Sequence, residues 1–161
     1  WQHNFDARNQ MSGFVEMTNL IYPDQGERNA NRNVAGLAYA HAARSGVVGY
    51  VGVYGGQERA KNSAEFGHNL FGIRLGGQMS VDEKEVFFLN ASTELRNYSG
   101  PDSIFRVYRA DGQINGSVGM IYLPLKNIRL IPQLTYTRNE SNIRINEFDR
   151  WSISLLFRQD M

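Results

Sequence analysis

Residues 86–100, VFFLNASTELRNYSG, alternate strictly. Phe87, Leu89, Ala91, Thr93 and Leu95 form one set. Phe88, Asn90, Ser92, Glu94, Arg96 and Tyr98 form the other. A period of two held this long dictates a β-strand with one apolar face and one increasingly polar face. Such a strand has two homes. In a soluble sandwich the apolar face is the core. In a membrane barrel it faces lipid and the polar face lines the interior.

The same alternation recurs in seven further segments: 11–22, 33–43, 47–56, 69–79, 113–122, 128–137 and 150–158. No segment of helical period competes with them. Eight strands are therefore expected. Pro132 falls inside one of them and lacks a ladder donor, so a bulge or a sheet edge is expected there. The connections alternate as well. PDQGERNANR, QERAKNSAEFGH, SGPDSIFRVYRADG and RNESNIRINEFD are long, whereas RSG, VDEK and PLKN are short. In an up-and-down meander this puts every long loop at one end and every tight turn at the other, the asymmetry of outer-membrane barrels.

The faces sharpen the choice. Phe71, Ile73 and Leu75 share a side with no ionisable group, as do Phe87, Leu89 and Leu95, and likewise Leu130 with Leu134 and Ile153 with Leu155. These ten positions are expected to face lipid. The opposite faces carry Glu16, Arg74, Glu94, Arg96 and Arg129. A soluble core holding these charges needs nearly complete pairing, while a barrel lumen supplies water and counter-charges. Tyr22, Tyr39, Tyr122, Tyr136 and Trp151 lie near expected strand ends, where an interfacial girdle sits. The five lumen charges have two readings: an ion-selecting or translocation path, or a salt-bridged plug, since eight strands are just wide enough for side chains to fill the interior.

Composition removes other classes. The chain has 161 residues, Lys+Arg 17 against Asp+Glu 16 and no cysteine. One domain spanning 1–161 is the expectation. The balanced charge argues against a nucleic-acid partner, and cysteine chemistry is absent. Mean hydropathy is −0.44 and no apolar run is long enough for a transmembrane helix. The chain opens on Trp1 without a leader, which reads as a mature form or a fragment. His3, His41 and His68 show no ligand spacing, so no metal and no cofactor is expected. His68 with Ser63 and Glu65 is the nearest grouping to a hydrolase site, and a solvated polar loop is the simpler reading. GIRLGGQ has glycines but no helix after it, so it is not a nucleotide loop.

The last third resembles the C-terminal barrel of the surface lipoprotein assembly modifier family and related outer-membrane proteins with tetratricopeptide repeats. The resemblance is carried by F-R-x-x-R-x-D (Phe105, Arg106, Arg109, Asp111), by P-x-L-x-Y-T-R-N-x-S-N-I from Pro132 to Ile143, and by F-D-R from Phe148 to Arg150. YGGQERA resembles a family loop. The resemblance implies a periplasmic helical-repeat region upstream and a barrel wider than eight strands. It carries no catalytic residue.

The expectation is an all-β, antiparallel up-and-down transmembrane β-barrel of about eight strands, whole or the C-terminal half of a larger one, in the bacterial outer membrane. Its partners are expected to be outer-membrane lipids and lipopolysaccharide, with a lipoprotein or polymer as cargo and no catalytic residues. A self-contained structural or adhesive barrel and a lipid-modifying barrel enzyme are the alternatives.

Overall fold

The computed structural model describes residues 1–125 and 127–159. Among them are nine strands: β1 (Gln2–Asn4), β2 (Asn9–Leu20), β3 (Ala30–Ala42), β4 (Val47–Ala60), β5 (His68–Ser80), β6 (Glu85–Pro101), β7 (Tyr108–Leu125), β8 (Ile128–Ser141) and β9 (Phe148–Gln159). They form one sheet in chain order, each antiparallel to the next. The eight expected strands are all present, and β1 is an addition that sequence reading missed. Three residues of QHN are too short to show a period.

The strands outrun their expected ends. β4 absorbs QERA, β6 runs to Pro101, and β7 starts at Tyr108 rather than Gln113. The links at one end therefore shrink to 21–29, 61–67, 102–107 and 142–147, while 43–46 and 81–84 close the other end. The asymmetry persists in weaker form. Gly46 takes φ +84 in the 43–46 turn, a backbone state that L side chains rarely adopt. In the 102–107 link the Asp102 carboxylate accepts the N–H groups of Phe105 and Ile104 at 3.0 and 2.9 Å. Those two bonds hold its carboxyl below the usual carboxylate range. Asp6 is lowered likewise, chiefly by the Asn9 side-chain amide.

Two expectations need correction. Closure into a barrel is not seen: β1 and β9 are the two edges of an open sheet. β1 covers only the Gln10–Ser12 part of β2. Among the described residues, β2 beyond Gly13 and the outer side of β9 have no strand partner. Pro132 sits at neither an edge nor a bulge. β8 is an interior strand, in unbroken register with β9 through Pro132↔Leu155. On its other side the ladder skips from Gly119↔Gln133 to Tyr122↔Leu130 without changing register. The missing proline donor is accommodated by a local gap towards β7.

Among the described residues no second layer covers the sheet. The buried apolar residues are Ala30, Val34, Leu70 and Ile143, far short of a core. The accessible surface is 10986 Å², against about 8,100 Å² for a soluble monomer of this mass. A two-sheet sandwich is therefore not the architecture. The sheet instead curls, because residues of β2 through β8, from Phe14 and Glu16 to Gln133 and Thr135, border one cavity of about 460 Å³.

Candidate functional site

The concave face is built by side chains of one parity. Register carries Glu16 to Val34, Gly56, Leu70, Arg96 and Asp111 in a single cross-strand row. The next rows hold Tyr54, Gly72, Glu94 and Gln113, and then Arg74, Ser92, Asn115, Thr137 and Arg150. Arg129 lies on this face too, opposite Arg158 near the short-turn end. The five expected interior charges thus share one face.

They do not form one network. Glu94 and Arg96 are joined at 2.6 Å. Tyr54 donates its hydroxyl to the other Glu94 oxygen at 2.9 Å, and Arg96 also donates to Gln113 at 3.0 Å. Glu16 is exposed and accepts from Thr18 at 3.1 Å. Arg74 is not in this network either, and stacks on the Phe14 ring at 4.9 Å. Sequence reading missed the second pair, Arg109 with Asp111, whose bonds are 2.9 and 2.5 Å. Tyr98 donates to Asp111 at 3.4 Å and lies 4.6 Å beneath the Arg109 guanidinium. A third pair, Arg32 with Glu58, is looser at 3.7 Å. Alternation R-x-D-x-Q from Arg109 to Gln113 was the available signal, hidden inside an apparent loop.

Aromatic rings lie flat over glycines on this face. A methyl at Gly72 would strike the Tyr54 ring, at Gly76 the Tyr50 ring, and at Gly119 the Phe88 ring. The bare glycines let Tyr54 reach Glu94 across β5 and let Tyr50 reach Asn90 at 3.0 Å. Gly72 and Gly76 of GIRLGGQ therefore have a packing role.

Removing Glu94 tests the wall. Glu94→Ala deletes two charge-assisted bonds and leaves a half-buried guanidinium unpaired, at a cost of about 2–4 kcal/mol. The expected result is a lower urea midpoint for Glu94→Ala than for the Glu94→Ala/Arg96→Ala pair, which strands no charge. Equal midpoints would show that an Arg96 guanidinium without Glu94 carries no penalty.

The convex face is apolar across its middle. Phe71 (51%), Leu89 (52%), Leu95 (54%) and Ile153 (87%) are exposed there. Ile73, Leu75, Phe87, Leu134 and Leu155 are exposed beside them, and Leu130 is half-exposed. The apolar stretch stops abruptly. The row Val15, Ala35, Gly55, Phe71, Leu95 is followed, towards the long loops, by Met17, Asn33, Gln57, Asn69, Asn97. Of the expected girdle, Tyr136 and Trp151 meet at a tilt of 37° with ring centroids 4.7 Å apart, but Tyr136 lies mid-strand and Tyr22 lies beyond the end of β2.

The His68 grouping is not brought together. Ser63 donates to Glu65 at 3.4 Å, whereas the buried His68 ring meets the Phe66 carbonyl at 3.4 Å and the Tyr98 ring at 5.0 Å. No nucleophile–base pair results. No cluster of metal-ligating side chains occurs among the described residues.

No protein-family model matches this chain, and no curated protein or solved structure matches it either.

Proposed function

We propose that this chain is membrane-embedded sheet of a bacterial outer-membrane barrel that helps move a lipoprotein or polymer to the cell surface or display it there. The observation that carries the reading is a single-layered sheet with a broad exposed apolar face and a charged, cavity-forming face behind it. Water penalises the first face at roughly 25 cal/mol per Å²; lipid does not. The apolar stretches 71–79 and 87–95 have the length, about 9–11 residues, that a tilted strand needs to cross a bilayer. The amide row at Asn33, Gln57, Asn69 and Asn97 fits a band edge at the headgroups.

In this reading the free edges of β2 and β9 pair with further strands of a wider barrel, and the concave face lines the passage. Unpaired strand edges are not tolerated in lipid. Membership of the surface lipoprotein assembly modifier family, with lipopolysaccharide around the barrel and a lipoprotein or polymer as cargo, belongs to the same proposal.

The test is refolding with and without detergent. β-Structure is expected only in micelles or vesicles. A monodisperse β-sheet protein in plain buffer would remove the membrane reading. In micelles, an unboiled sample with no gel shift fits a sheet that needs further strands to close.

A further inference from the structure

The concave wall treats its arginines unequally. Arg32, Arg96 and Arg109 each lie against a carboxylate. Arg74 and Arg150 do not: among the described residues, neither has an acidic partner within salt-bridge distance. Each rests on a phenylalanine, Arg74 on Phe14 at 4.9 Å and Arg150 on Phe148 at 5.9 Å. Stacking of this kind holds a guanidinium in place and leaves its N–H edge free to bind.

These two arginines lie on one cross-strand row. From Arg74 on β5 the register passes through Ser92, Asn115 and Thr137 to Arg150 on β9. The three intervening side chains are neutral and bonded to one another. Thr137 donates to Asn115 at 3.0 Å, and Asn115 donates to Ser92 at 3.4 Å. The adjacent row towards the short turns, Asn90, Ser117, Thr135 and Ser152, is neutral and polar. The adjacent row on the other side carries Glu94, but that carboxylate is taken up by Arg96 and Tyr54, so the row of Arg74 and Arg150 holds cations and neutral polar groups and no carboxylate of its own.

We propose that the Arg74–Arg150 row is an oxyanion-binding belt for an elongated ligand with more than one phosphate or carboxylate group. Four strand spacings separate the arginines, about 19 Å along the sheet. Curling of the sheet and the reach of two long side chains shorten that gap. Planar guanidinium forks match phosphate and carboxylate oxygens in pairs. The belt goes beyond the membrane reading and does not depend on it.

The experiment is a titration of the folded full chain with inorganic tripolyphosphate, followed by the arginine Nε–H resonances, in micelles or in buffer according to where the chain folds. The resonances of Arg74 and Arg150 are expected to move together, with those of Arg96 and Arg109 stationary. Arg74→Gln/Arg150→Gln is expected to weaken binding by about tenfold or more. Arg59→Gln, a change on the opposite face, is expected to leave it unchanged. Uniform movement of all arginines, no movement, or unaltered affinity in the double variant would each overturn the belt. Arg150→Gln alone, on an edge strand, serves if the double variant does not fold. Folding without detergent would count against the membrane reading and leave this titration fully interpretable.

Discussion

Asp111→Ala should destabilise the folded sheet by about 3–5 kcal/mol, the range for orphaning a buried ion-pair partner. The Asp111 side chain is 1% exposed and takes two bonds from Arg109, which is itself 25% exposed. Tyr98 adds a third bond. With the carboxylate gone, Arg109 keeps the Tyr98 ring and the more distant charge of Asp102. A cation–π contact of about 0.5–2 kcal/mol does not replace a bidentate carboxylate. Urea unfolding in micelles measures the effect, and Asp111→Ala/Arg109→Met should recover part of it by removing the stranded charge. A shift under 1 kcal/mol in Asp111→Ala would mean that water already carries this pair.

Gly56→Ala should cost about 3 kcal/mol, the upper end of ordinary overpacking. A Cβ at Gly56 would overlap the Asn33 carbonyl oxygen and the Val34 Cα. Both are backbone atoms, so no side-chain rotation relieves the clash and β3 must move off β4. Gly116→Ala is the matched control. Nothing lies within 4 Å of its Cβ position, and less freedom in the unfolded chain should stabilise that variant by about 0.4–1 kcal/mol. Equal behaviour of the two would show that β3 and β4 are not held as closely as their register implies.

The contrast between these glycines explains what reading the chain can and cannot reach. In VVGYVGVYGG both faces hold glycine and bulky residues, so alternation alone assigns neither. Pairing decides: Gly56 lies opposite Val34, and Gly72 opposite Tyr54 and Glu94. Asp111 was hidden for a related reason. RVYRADG has the composition of a loop, and polar residues at both parities erase the hydrophobic period. Tyr108 to Gly112 nevertheless belong to β7, where Asp111 falls opposite Arg96 and its neighbour Arg109 supplies the counter-charge.

By itself the sequence determined eight of the nine described strands and their order. It also determined the parity that separates Phe87, Leu89 and Leu95 from Glu94 and Arg96. Period-two patterning is local, and a one-residue slip would invert every face. Only the tertiary structure decided which charges meet. Among the described residues it left Arg74 and Arg150 without a carboxylate at salt-bridge distance, while joining Glu94 to Arg96 and Asp111 to Arg109. It also left the edges of β2 and β9 open. Those outcomes depend on cross-strand register and sheet curl, which place residues far apart in the chain within hydrogen-bond reach. No local period encodes that geometry.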